Sequence, residues 1–219
     1  MKMATVVLTL SLLVTTGLAQ IKAVTGDGKV VLLHSDGTWE YYGDPEVRTE
    51  EKYDFRQAKW GDSISQVKAT EEGEPQQQDN FLMYEDNVAN LNATAFYVFA
   101  YDKLVRAGYI FQESHSNRNQ YINDYSNIKN VLKETYGSPK KDDKKIWSKS
   151  LYKNDREDWG LAISIGHLTI YSSWENEDTD ILLSLLGDNY KINHKVEYTS
   201  KRHSELEKKA KKEKAKRKL

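Results

Sequence analysis

The chain has 219 residues, 38% hydrophobic and 30% charged, with 14 Tyr, 5 Trp, 5 Phe and no cysteine. That length suits one sizeable core or two small domains, and so many aromatics exclude a disordered chain. The absence of cysteine excludes disulfides, thiol catalysis, thiolate metal sites and a cysteine-borne lipid anchor. The formal net charge of -1 hides an asymmetry: residues 201–219 carry ten Lys or Arg against three Glu, a net +7, while residues 20–200 come to -9.

Residues 1–19 have the parts of an export signal: a basic start at Lys2, an apolar run from Val6 to Val14, and small residues at Gly17 and Ala19. Cleavage after Ala19 is expected to leave Gln20 first and to place the mature chain in the periplasm or outside the cell. The apolar run is shorter than the roughly 20 residues a spanning helix needs, and no later segment reaches that length. The mature chain is therefore expected to carry no transmembrane segment.

Residues 20–43 read as a small β-meander. Gly26-Asp27-Gly28 and Ser35-Asp36-Gly37 supply tight turns, Val30 to Leu33 is a short strand, and Trp39 and Tyr41 share a face of the next. Residues 44–52 read as a linker. In residues 53–199 the spacing predicts an α+β domain. It opens with an alternating strand from Tyr53 to Trp60 and a short helix capped at Asp62 or Ser63 that buries Ile64, Val67 and the stem of Lys68.

Strands are expected at Phe81 to Tyr84, Ala93 to Ala100 and Lys103 to Gln112, close enough in sequence to pair antiparallel. Tyr121, Tyr125, Ile128, Val131, Leu132 and Tyr136 recur at helical spacing, so a helix from Asn119 to Tyr136 follows, ended by Gly137. Strands resume at Lys145 to Leu151, Trp159 to Ile165, Leu168 to Trp174, Thr179 to Leu186 and Asn193 to Tyr198. The order implies an antiparallel sheet with helices on one face, and two passes of helix then strands hint at an internal duplication. Residues 200–219 are helical by propensity but have only Leu206, Ala210 and Leu219 as apolar marks, which reads as a basic, solvated tail.

Chemical motifs are sparse. His34, His115, His167, His194 and His203 have no metal-pair spacing, and no phosphate loop or serine elbow is present, so neither catalytic residue, metal nor cofactor is expected. The acidic runs Asp155 to Asp158 and Glu175 to Asp180 lack a calcium-loop pattern and read as charged turns. A hydrolase using carboxylates such as Asp155, Glu157 and Asp158 remains the alternative to a binding role. Exposed aromatics would suit binding, and Trp39, Tyr41, Trp147, Trp159 and Trp174, in or beside expected strands, are its candidate residues. Lys208, Lys209, Lys211, Lys212, Lys214, Lys216, Arg217 and Lys218 would give an electrostatic tail for anionic lipid headgroups or an acidic envelope polymer. Export argues against nucleic acid.

Two segments carry a family resemblance. Asp27-Gly28-Lys29-Val30-Val31-Leu32 with Asp36-Gly37-Thr38-Trp39-Glu40-Tyr41 resembles a module found near the start of secreted bacterial proteins. Phe55-Arg56, Lys59-Trp60-Gly61-Asp62-Ser63, Val67 and Glu71 are similar to the opening of small envelope domains of the outer-membrane assembly lipoprotein and β-lactamase-inhibitor-like type. That resemblance implies helices on an antiparallel sheet and a protein partner, and with it a non-enzymatic envelope binding module. The missing lipid-bearing cysteine departs from the assembly lipoproteins.

Overall fold

The computed structural model describes residues 21–26, 29–34, 36–42 and 52–216. The expected signal peptide, the turn residues Asp27, Gly28 and Ser35, most of the linker, and Arg217, Lys218 and Leu219 lie outside the described residues. The chain divides between Lys52 and Tyr53 into two compact units.

The first unit holds the expected meander: β1 (Ile21–Val24), β2 (Val30–Leu33) and β3 (Trp39–Tyr41), paired antiparallel in that order. Gly37 supplies the positive φ of the second turn, at 83°. Ala23, Val31 and Leu32 are its buried residues.

The second unit is a mixed α+β domain on an eight-stranded antiparallel sheet of order β4-β5-β6-β7-β11-β10-β9-β8. Its first meander comprises β4 (Gln76–Gln78), β5 (Phe81–Val88), β6 (Leu91–Ala100) and β7 (Lys103–Phe111). The second comprises β8 (Lys141–Trp147), β9 (Leu168–Glu175), β10 (Thr179–Asp188) and β11 (Lys191–Ser200). A helix precedes each, α1 (Ile64–Thr70) and α2 (Gln120–Tyr136). The strand order thus repeats at the level of topology, and β7 pairs with β11 to join the two meanders.

Local chemistry explains the helix ends. Ser63 and Gln66 form a reciprocal capping box at the start of α1, with Ser63 N–H donating to Gln66 Oε1 at 2.9 Å. Gly137 ends α2 at φ 76°. Inward residues of both meanders, among them Leu82, Tyr97, Phe99, Leu183 and Leu185, form one core with Val67, Tyr125, Ile128 and Leu132 of the helices.

A polar anchor ties each helix to its meander. Arg56 pairs with Glu71 at 2.9 Å and with Asp86, while the Tyr97 hydroxyl donates to Glu71. In the second half the hydroxyls of Tyr125 and Ser172 lie 2.8 Å apart, and Lys129 donates to Asp143 at 2.5 Å. Buried charges persist only where paired in this way. Burial opposes the Lys129 charge, but Asp143 and Asp142 outweigh it and raise its pKa.

Several sequence expectations are corrected. Tyr53 to Trp60 is not a strand: Phe55 pairs back on Ala58 in a tight turn with Arg56 at φ 54°, which draws its side chain to Glu71 and Asp86. Lys68 is exposed rather than buried. The strand expected at Lys145 to Leu151 is Lys141–Trp147; its charged start hid an edge strand, where charge suppresses further pairing. Trp159 to Ile165 is not a strand but α3 (Trp159–Ser164), entered through a 3-10 turn at Arg156–Asp158. A short apolar run does not distinguish the two, and a long-range bracket decides: Asn119 Oδ1 accepts from Gly160 N–H at 2.7 Å.

The tail is also corrected. Helices α1, α2 and α3 share one face of the sheet, but α4 (Ser204–Lys216) docks on the other rather than standing free in solvent. Leu206 and Ala210 pack on Phe96, Val98, Ala100 and Val105. Arg106 donates to Glu207 at 2.8 Å and the Tyr101 hydroxyl to Glu213 at 2.8 Å. The helix sorts its charge, with Glu207 and Glu213 against the sheet and Lys208, Lys209, Lys212 and Lys216 exposed. One leucine and one alanine suffice as an apolar stripe because four apolar side chains meet them.

Truncation after Ser200 is therefore expected to destabilise the domain by about 1–3 kcal/mol, the scale of uncovering a partly buried leucine and its neighbours. A thermal melt checks this, since each kcal/mol moves Tm by about 2–4 °C in a domain of this size. An unchanged Tm would place the tail in solvent after all.

His194 gives a second test. It lies buried in the core, its ring 4.4 Å from that of Phe111, with no hydrogen-bond partner at Nε2. Burial disfavours the imidazolium and lowers the pKa from 6.5 to about 3. The unfolded chain takes up this proton first, so the stability contribution is complete above 6.5 and is lost as pH falls towards 3. Between pH 7 and 5 the wild type should lose about 2 kcal/mol more than His194→Phe in chemical denaturation. Equal losses would show that the imidazole is charged or solvated in the fold.

Candidate functional site

Strand alternation sends every second residue of the large sheet away from the core. On that outer face one register row runs Met83, Phe96, Gly108, Glu197, Leu182, Ser173, Lys141, and the next runs Glu85, Thr94, Ile110, Lys195, Ser184, Tyr171, Lys144. Helix α4 lies over β6 and β7, so the Phe96 end of these rows is covered. Over β9 and β10 no helix packs on this face among the described residues.

The open half is not a polar surface. Leu182 and Leu186 are 38% and 36% exposed and Ile146 is 57% exposed, while Tyr171 is half-buried beside them. Between Leu182 and Leu186, Ser184 is buried with its hydroxyl unpaired, flanked in register by Tyr171 and Lys195. A buried hydroxyl without a partner is costly. Lys141, Lys144 and Lys195 ring the patch. At its border with α4, Arg106 and Lys195 donate to Glu197 at 2.9 and 3.0 Å. Burial pushes the Glu197 pKa up, but these two cations outweigh it and hold the carboxyl below its ordinary value.

Of the sequence-derived aromatic candidates, two lie in the first unit and three in the second. Trp39 and Tyr41 are exposed on the first unit, in an edge-on pair with centroids 5.4 Å apart. Trp147 and Trp159 are half-buried on the helix side of the large sheet, also edge-on, at 6.0 Å. Trp174 is 3% exposed and donates to the Gly137 carbonyl at 2.9 Å, which makes it a core residue. Trp60 likewise packs on the core and donates to Thr179 Oγ1 at 2.8 Å.

Of the basic tail, Lys208, Lys209, Lys211, Lys212 and Lys216 lie exposed on α4, and Lys214 pairs with Asp79 at 3.2 Å. The acidic runs build turns. Asp155 Oδ1 accepts from Glu157 N–H at 3.0 Å, and Asn176 Oδ1 accepts from the N–H groups of Asp178 and Thr179. The histidines are dispersed: His34 faces Glu40, His115 contacts Asp124 at 2.5 Å, His167 stacks on Tyr152, and His203 contacts Ser200 at 3.1 Å. Among the described residues no group of three or more His, Asp or Glu gathers as a metal site.

Sequence reasoning missed Leu182, Leu186 and Tyr171 as residues of the open face, and Ser184 buried among them. One signal was available. The run Ile181 to Leu186 carries leucine on both strand faces, and only one of those faces can serve the core. No family model, curated protein or solved structure matches the chain.

Proposed function

We propose that the chain is a non-enzymatic binding module of the bacterial cell envelope, exported by residues 1–19, which presents the open outer face of its second meander to a protein partner. The observation that carries this reading is the unequal cover of one sheet. Apolar side chains of β6 and β7 are shielded by α4, whereas Leu182, Leu186 and Ile146 remain exposed on an ordered face. Exposed apolar groups ringed by polar ones are the anatomy of an interaction surface.

The resemblance to envelope domains supports the same reading. The outward lysines of α4 suit an anionic envelope surface, each contributing about 1 kcal/mol near anionic lipid, and they would hold the module there while the sheet face engages its partner. A hydrolase built on Asp155, Glu157 and Asp158 has less support. Asp155 is committed to capping a turn, and the cavities nearby are lined by one carboxylate, Asp143, already paired with Lys129.

The test is site-specific photocrosslinking in exporting cells. A crosslinker at position 182 or 171 should give a discrete adduct, while one at exposed Lys68 of α1 should not, and Leu186→Asp should abolish the position 182 adduct without lowering Tm. Absence of an adduct from both outer-face positions would contradict the proposal.

A further inference from the structure

On the helix side, two adjoining cavities of about 110 and 150 Å³ open between α2, β8 and the turn at Arg156–Asp158. They share Ile122, Arg156 and Trp159 as walls. The Arg156 guanidinium lies 5.0 Å and the Lys145 ammonium 5.4 Å from the Trp159 ring centroid, so two cations converge on one indole. Among the described residues neither has a carboxylate at ion-pair distance, in contrast to Lys129, Lys133 and Lys140. Asp143, the carboxylate in the wall, is neutralised by Lys129 at 2.5 Å.

The arrangement is rigidly built. The Asn119 amide donates to the carbonyls of Arg156 and Glu157 at 3.2 and 2.8 Å, and its oxygen accepts from Gly160 N–H. Gly160 sits so close to the segment entering α2 that a Cβ there would meet the Arg118 carbonyl carbon at 2.4 Å. The turn that carries Arg156 is thereby bolted to the start of α2. Both cations line the same cavity, so an anion there is attracted by both.

We propose that this cleft binds a small organic carboxylate bearing a single ring, with the carboxylate held by Arg156 and Lys145 and the ring laid against Trp159 and Ile122. The two adjoining clefts, about 110 and 150 Å³ and open to solvent, leave room for a single ring, and the planar guanidinium fork matches a carboxylate in two-point contact. Asn123 and Ser126 offer hydrogen bonds to a ring substituent. The site lies on the opposite side of the sheet from the outer face, so it stands or fails separately from the protein-partner reading.

The experiment is an NMR titration of the full chain with benzoate, followed at the Trp159 indole N–H, with benzyl alcohol as the uncharged comparison. Benzoate should shift that signal saturably, and Arg156→Gln and Lys145→Gln should each weaken binding by about tenfold, the scale of one charged hydrogen bond. Lys195→Gln, on the outer face, should bind like wild type. Both cleft substitutions replace exposed side chains, and an unchanged Tm confirms their fold. No saturable shift, equal affinity for benzyl alcohol, or wild-type affinity in both cleft variants would each overturn the proposal.

Discussion

The close approach of β7 and β11 constrains everything else, because it makes one sheet out of two meanders. Gly108 stands at that seam, opposite Glu197. A Cβ at this position would fall 2.1 Å from the Val196 carbonyl oxygen and 2.9 Å from the Phe96 ring. The strands meet at this distance only because the residue has no side chain, and Phe96 covers the space on the outer face. With the seam closed, the inward residues of both meanders reach the same core, and α1, α2 and α3 share it.

The joined sheet has two faces, and the helices among the described residues cover them unequally. On the inner face three helices cover the core, each half secured by a polar anchor at Glu71 or Asp143. Among the described residues α4 alone packs on the outer face, and it lies over β6 and β7. Its inward glutamates meet Arg106 and Tyr101, so the basic sequence docks by its few acidic residues while its lysines face water. The β9 and β10 half keeps exposed leucines, an unpaired serine and a rim of lysines. The binding function proposed for the chain follows from this imbalance rather than from any cluster of aromatics.

Much of the fold was legible in the sequence. The strand from Ala93 to Ala100 is an almost continuous aromatic and apolar run and that from Leu168 to Trp174 alternates, and Ser63, Gln66 and Gly137 carry their capping chemistry in their identity. What was illegible depended on distant partners. Trp159 to Ser164 becomes helix through Asn119, and Arg56 turns the chain because Glu71 and Asp86 await it. The tail hides its docking stripe, since Leu206 and Ala210 look insufficient until Phe96 and Val98 are beside them. Site residues were harder still. Tryptophans announced themselves by type, yet Trp174 is core, while Leu182 and Leu186 are ordinary residues made notable only by what leaves them uncovered.

Hydroxyl-radical footprinting of the isolated full chain tests this unequal cover directly, because it reads side-chain exposure residue by residue. Leu182, Leu186 and Ile146 should be modified rapidly, while Phe96, Val98 and Val105 should be protected until the domain unfolds. Equal modification of the two sets, or protection of Leu182 and Leu186 in the isolated chain, would contradict the structure's division into a covered and an open half.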